Sequence, residues 1–526
     1  MSSTVPYLVV LDFPGIKKYV FGTDRLVEIR GASALLDRLN RHLIPRWVLE
    51  TFGTTHSRVV FAGGGTGQFI IHAVAETIRE KLLDIEGEIY GKTGGALGMV
   101  VGMAALDGDY PSALGRAFLD LETQKFQNPV VPHAPCHTGF IRECDSCSGM
   151  ASEVSEFAGK ARLLCTSCAQ KEKMGKERGL WDEFAAYLKG RGIDADRSWT
   201  WRPQDFEEIG DRCRSRRGYT AVLYGDGNSM GRLVKQIRTE EQFKLFSSAV
   251  DTAIREACHE ALWRHCQPVN GKMPVDILLL GGDDLIVYLA ADCALPVAVD
   301  VARLFEERTR EYLLRADSDS FFKTKLGNRG LTLSIGIAYG RTHTPISIMV
   351  NQAEELLKSA KKKGTALEEK EAHTPACIDF HLTSRFNQAS AVDSRRQHLT
   401  LRTHLNEEVR LYRGPYTVEE AEALLQHARS LKQSGIPRSR LHRLGEAPFR
   451  GKVSGTIETL SIYGRCRTAA QKQAIWHALD RFGCLFEMPW NREGNEISTA
   501  LVDLTEIAEF VLPLEEGAKH GPSHQA

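Results

Sequence analysis

Apolar positions along the chain follow two periods, and the order in which those periods alternate occurs twice. Val5 to Asp12 is a short apolar run that predicts a buried strand, and Leu26 to Leu39 carries apolar residues at helical spacing. Arg58 to Ala62 and Gln68 to His72 then predict two strands flanking Gly63, Gly64 and Gly65. Further on, a strand over Thr220 to Tyr224 precedes helical sequence from Met230 to His265. Strands over Val275 to Leu280 and Leu285 to Leu289 then flank Gly281 and Gly282. Gly63 follows Asp12 by 51 residues and Gly281 follows Asp226 by 55, so the halves match in spacing as well as order.

An internal duplication follows. Each half adds further elements: Leu97 to Ala105 in the first, and Leu331 to Ala338 with the amphipathic Ile346 to Lys363 in the second. Strand, helix, two strands, helix, strand is the ferredoxin-like layout on which polymerase and cyclase palms are built. Between the halves lies a polar, cysteine-rich stretch from about Pro132 to Arg217. After about Ser384 the pattern turns helical, with Tyr416 to Gln433 at helical spacing, a loop at Pro437 and a polar tail from Glu515. The expected fold is α+β: residues 1–131 form a first palm, 132–217 a zinc-binding insert, 218–384 a second palm and 385–526 a C-terminal helical domain.

Composition narrows the function. Apolar residues at 42% with 25% charged residues describe a globular chain, not a disordered one. Lys plus Arg equals Asp plus Glu at 67 each, so any nucleic-acid contact must be local. Asp12 interrupts the first apolar stretch, no basic run precedes it, and no apolar run approaches the length of a membrane span. A cytoplasmic protein is expected, with no membrane partner. Twelve cysteines, four in paired Cys-x-x-Cys units, suit a reducing compartment and a metal better than a disulfide scaffold.

Cys144, Cys147, Cys165 and Cys168 have the spacing C-x2-C-x17-C-x2-C, that of a four-thiolate Zn²⁺ site. A closed shell of four sulfurs leaves no open position, so the metal is expected to be structural. His133, Cys136 and His137 lie nearby and read as ordinary surface residues beside this complete set. The second constellation is Gly281-Gly282-Asp283-Asp284 at the turn between apolar strands. Adjacent carboxylates repel each other unless a cation neutralises them, and the glycines allow close approach of a bulky anionic partner. Asp226, in Gly225-Asp226-Gly227-Asn228-Ser229-Met230-Gly231, ends the strand expected beside that turn. Three hard oxygen ligands are then available for Mg²⁺ or Mn²⁺. The first half keeps Asp12, but its turn reads Gly63-Gly64-Gly65-Thr66, which predicts a non-catalytic palm.

On these residues the chain resembles the large, polymerase-like subunit of type III CRISPR effector complexes, the Cas ten family of Csm and Cmr large subunits. Besides Gly281 to Asp284, the similar segments are Leu333-Ser334-Ile335-Gly336-Ile337-Ala338, Ala353 to Leu357 leading into Ala360-Lys361-Lys362, and Ile378-Asp379-Phe380-His381. Gly15 to Phe21 and Glu28 to Ser33 look like that family's first palm. The resemblance implies antiviral defence: polymerisation of ATP into cyclic oligoadenylate when guide RNA pairs with target RNA, in a complex with other CRISPR effector subunits. It makes Gly281, Gly282, Asn228, Ser334 and Lys361 nucleotide-binding candidates, with Lys361 at the end of its helix for the triphosphate and Ser334 for a base. Two departures stand out. Asn228 occupies a position where the family often has Asp, and no His-Asp dipeptide of an HD nuclease is present, so no DNase activity is expected. A catalytically silent scaffold and a stand-alone dinucleotide cyclase are the alternatives.

Overall fold

The computed structural model describes residues 5–127, 142–157, 160–177, 179–371, 373–383, 390–402, 407–494 and 496–512. Positions 132 and 384 of the expected boundaries, the residues His133, Cys136 and His137, and the tail from Glu515 lie outside these. The fold is mixed α and β, built on two sheets of the same plan.

In the first sheet, β1 (Tyr7–Asp12), β2 (Ser57–Gly63), β3 (Thr66–Ile71) and β4 (Val100–Ala105) lie in the antiparallel order β2-β3-β1-β4. A two-stranded ribbon, β5 (Glu153–Phe157) and β6 (Lys160–Leu164), follows. The second large sheet contains β7 (Tyr219–Gly227), β8 (Val275–Gly281), β9 (Asp284–Ala290), β10 (Leu333–Arg341) and β11 (Cys377–Leu382). Its order, with β14 (Tyr416–Thr417) added at the edge, is β14-β11-β10-β7-β9-β8. Its last four places repeat β4-β1-β3-β2, and even the register irregularity recurs, at Val59/Phe61 in β2 and Ile277/Leu279 in β8. The alternation of side chains explains why these strands read as continuous apolar runs. Leu8 and Val10 of β1 join Ala221 and Leu223 of β7 in one core, and Val9 and Leu11 join Val222 and Tyr224 in another. Both cores therefore run through both palms.

Helices cover the sheets, and caps fix several of their starts. The Oγ of Thr239 accepts from the N–H of Gln242 at 3.2 Å and opens the helix Glu240–His265. That start divides the helical stretch foreseen from Met230 into two helices, Met230–Val234 and Glu240–His265. Thr417 and Glu420 form a capping box at Val418–Gln433. The C-terminal region is less purely helical than its pattern suggested. It includes a small sheet of β12 (Thr400–Arg402), β13 (Glu408–Arg410), β15 (Asn491–Glu493) and β16 (Glu496–Ser498), whose three-residue strands are too short to register as a period. No described helix is long and apolar enough to cross a membrane.

Two close approaches lock the parts together. The helix Leu26–Arg38 packs against Thr166–Lys176 so tightly that a Cβ on Gly31 would lie 1.7 Å from the carbonyl oxygen of Lys171, and one on Gly175 1.8 Å from that of Val27. The turns of the two palms also meet backbone to backbone. A Cβ on Gly64, at φ +58°, would lie 2.8 Å from the Cα of Gly282. Gly64→Ala should therefore lower stability by about 2 kcal/mol, combining positive φ with this clash. Gly87→Ala, in the helix Ala75–Thr93 with open space around it, should hold or raise stability. Paired denaturant titrations measure both.

Candidate active site

The acidic turn is set by hairpin register. Gly281 pairs with Asp284, leaving Gly282 and Asp283 as the two turn residues, with Gly282 at φ +62°. Gly225 of β7 lies opposite Leu285 of β9, and the next residue of β7 carries Asp226 alongside Asp284. Glycine at 227 keeps this approach open, because a Cβ there would lie 3.0 Å from Oδ2 of Asp283. Asp226, Asp283 and Asp284 thus converge. Burial, and then the charge of Asp226, push the Asp283 carboxyl up to about 6. Burial, then Asp226 and Asp283, push Asp284 up to about 7, against the opposing charges of Lys17 and Lys361. An all-oxygen set whose ionised form is disfavoured by burial and by mutual repulsion has the chemistry for Mg²⁺ or Mn²⁺, but its oxygens are not all drawn within 4.8 Å of one another as the cysteine sulfurs are.

Lys361 lies well inside the helix Ile346–Glu371, not at its end as the sequence suggested, because the helical period continues past the lysine run. Its ammonium pairs with the Asp226 carboxylate and donates to the carbonyl of Gly227 at 2.8 Å. The first palm repeats this pairing. Lys125 holds Asp12 at 2.8 Å, and each lysine sits at the same offset, fifteen residues past the first residue of its helix, Tyr110–Gln127 or Ile346–Glu371. Asp12 lies opposite Thr66, where the second palm has Asp284.

Two further nucleotide candidates lie beside Asp226 and are bonded within the sheet. Ser334 is opposite Asp226 in register but fully buried, and its Oγ accepts from the N–H of Cys377 at 3.3 Å. Asn228 is also buried. Its Nδ2 donates to Oγ1 of Thr332 at 2.9 Å and its backbone N–H to the carbonyl of Thr332 at 2.8 Å, tying the end of β7 to the strand beside it. Both are committed to the sheet by partners distant in sequence, which local pattern does not show.

The residues that hold the turn were not singled out in the sequence. Asp251 accepts from the N–H of Gly282 at 3.0 Å. One turn on, Arg255 donates to the carbonyl of Leu280 at 3.1 Å and to Asp37 of the first palm at 3.0 Å, and pairs with Glu183 of the helix Leu180–Lys189. An Asp and an Arg four apart on a helix otherwise buried on that face were the available signal. Between the palms lies a cavity of about 300 Å³, lined by Gly15, Lys17 and Gly64 on one side and by Gly281 and Asp284 on the other.

The four cysteines form a separate centre. The sulfurs of Cys144, Cys147, Cys165 and Cys168 all lie within 4.8 Å of one another, the one such group of possible ligands among the described residues. Cys165 caps the helix Thr166–Lys176, its sulfur accepting from the N–H of Cys168 at 3.4 Å. Four soft donors in this grouping suit tetrahedral Zn²⁺. The ribbon is bolted to the first palm by buried ions: Arg162 bridges Glu28 at 2.8 Å and Glu172 at 2.9 Å, and Lys171 donates to the carbonyl of Tyr19.

Residues 219–370, which hold the acidic turn, match the family described as Cas10/Cmr2, second palm domain. That segment is therefore similar to a Cas10/Cmr2 second palm. Solved structures share the fold over nearly the whole chain. Csm1 in T. onnurineus is 15% identical, with a TM-score of 0.56 over 97% of this chain and 70% of that one. The Csm1–Csm4 cassette in complex with pppApApA is 15% identical, with a TM-score of 0.55 over 96% and 69%. The Csm1–Csm4 cassette in complex with cA4 is 18% identical over 69% of this chain, with a TM-score of 0.47, and this chain spans about half of its length, 53%. No curated protein matches the sequence.

The electrostatics of the acidic turn set a pH dependence. Asp283 and Asp284 have folded pKa values above the ordinary carboxylate value of 3.8, so their ionisation opposes folding. The stability they permit is complete below about pH 4 and is lost as pH rises to about 7. Asp283→Asn or Asp284→Asn should raise metal-free stability at pH 8 by on the order of 2 kcal/mol and flatten that fall. Thermal melts across this range in chelator check it.

Proposed function

We propose that this chain is the large, polymerase-like subunit of a type III CRISPR effector. In this reading it joins ATP into oligoadenylate in the cytoplasm, in cyclic form, when a guide RNA in the complex pairs with target RNA. The observation that carries the reading is the gathering of Asp226 and Asp283 beside Asp284, which lines the inter-palm cavity with Gly281, in a segment that matches the Cas10/Cmr2 second palm. The shared fold of a Csm1–Csm4 cassette solved with pppApApA supports adenosine nucleotides as the substrate class.

The three carboxylates would hold the divalent metals. Such metals, when bound, lower the pKa of an attacking 3′-hydroxyl and stabilise charge on the α-phosphate and the leaving pyrophosphate. The chain's own residues do the rest by position. Gly281 and Gly282 let the nucleotide approach the backbone, and Asp251 and Arg255 hold the turn that presents the acids. Lys361 fixes the orientation of the Asp226 carboxylate. The first palm walls off water on the far side of the cavity. It has Gly65 and Thr66 where the second has acids, so it serves as a non-catalytic partner.

A silent scaffold is the second reading, favoured by the neutralisation of Asp226 by Lys361 and by the uncharged Asn228. Labelled ATP with Mg²⁺ or Mn²⁺, offered to the chain alone and within its guide complex, decides between them. Asp283→Ala should cut product formation at least about a hundredfold with folding intact, whereas Asp12→Ala should leave it largely unchanged. Absence of product from the assembled wild-type complex overturns the enzyme reading.

The cysteine centre is proposed as a structural Zn²⁺ site. Metal analysis should find about one equivalent, lost in Cys144→Ser with Cys147→Ser together with a clear fall in melting temperature.

A further inference from the structure

Polyphosphate beside an acidic turn needs a cation, and the lysine foreseen for that task is already engaged. Lys361 spends donors on the Asp226 carboxylate and the Gly227 carbonyl. Among the residues lining the inter-palm cavity one is cationic, and it comes from the other palm: Lys17, on the short helix Ile16–Val20. Its Nζ lies 3.1 Å from Oε1 of Glu354 and 4.8 Å from the centroid of the Tyr224 ring. An ammonium group carries three donors, and Glu354 takes one. The side chain remains 43% exposed, so the others are within reach of a ligand. Asp284 lines the same cavity, and the backbone between the two walls is that of Gly64, Gly65 and Gly281, which lets a bulky anion come close.

We propose that Lys17 is a positioning residue, contributed by the first palm, for the phosphate chain of the nucleotide bound at the Asp283-Asp284 turn. The inference rests on that turn being a nucleotide site and assigns a second role to the first palm. Lysine binds phosphate as a point charge, so a cation delivered from a different domain makes phosphate binding depend on the two palms being seated together. The seating contacts are present at this segment: Oδ1 of Asp24 accepts from the N–H of Ile346 at 3.2 Å, and Lys17 itself bridges to Glu354 on the helix Ile346–Glu371.

The test compares the full chain with Lys17→Met, Lys17→Arg and Glu354→Gln. Equilibrium binding of a non-hydrolysable ATP analogue with Mg²⁺ is measured beside binding of adenosine, which has no phosphate. Lys17→Met should weaken the analogue about tenfold or more and leave adenosine unchanged. Lys17→Arg should recover most of the loss. Glu354→Gln removes the bridge but keeps the ammonium, and should hold the analogue within about twofold of wild type. In turnover, Lys17→Met should raise KM more than it lowers kcat. The inference is overturned if Lys17→Met binds the analogue like wild type, if adenosine is lost in equal measure, if Glu354→Gln matches Lys17→Met, or if the wild-type chain does not bind the analogue. The activity reading fails separately: a wild-type complex that makes no product, with phosphate-dependent binding still lost in Lys17→Met, removes the polymerase and keeps the lysine.

Discussion

The contact between Gly64 and Gly282 sets the separation of the two palms. With no side chain at either of these two positions, backbone meets backbone, and the distance between the sheets is fixed by van der Waals radii. Much of the site geometry depends on that spacing. It brings Asp37 within 3.0 Å of Arg255, so that one buried guanidinium spans the first palm, the acidic turn and the insert. It also sizes the cavity to about 300 Å³ and brings Lys17 to its edge. The buried charge of Arg255 is supportable because Asp37, Asp251 and Glu183 surround it, and removing any of them would leave charge in a poorly solvated interface.

The parts of this arrangement that were legible in the sequence are those written locally. Apolar periods and glycine turns marked the duplicated strands, and cysteine spacing marked the ribbon before any contact was known. Asp226, Asp283 and Asp284 could be placed together because antiparallel order makes the strand ending in Asp226 a neighbour of the turn. What was not legible depends on partners far apart in the chain. The hydrogen bonds of Ser334 with Cys377 and of Asn228 with Thr332 are of this kind. Arg255 looks like one more charge on a long helix until Asp37, over two hundred residues earlier, is set beside it. The length of the helix bearing Lys361 was hidden by its lysine run, which reads as a solvated end although the helix continues.

The duplication shows which features a palm keeps when its turn loses its acids. Lys125 still neutralises Asp12 at the position where Lys361 neutralises Asp226. The acid and its lysine therefore have a use apart from the Asp-Asp turn: they close the end of the central strand against its crossing helix. The second palm adds β11 and β14 at its edge, and at the turns, where two glycine-rich sequences face each other, one carries all the negative charge.

The ionic links between ribbon, first palm and second palm also bear on how the chain is assembled as it leaves the ribosome. Glu28 and Tyr19 precede their ribbon partners Arg162 and Lys171, so the amino-terminal palm and the ribbon can close on one another while the second palm is still being synthesised. Arg30 and Asp37 must wait, because Asp276 and Arg255 emerge later. During that interval the face of the helix Leu26–Arg38 that will meet the second palm displays charged groups among its apolar ones. Those charges keep a half-made interface hydrated and unattractive to neighbouring nascent chains until the partner that neutralises them arrives.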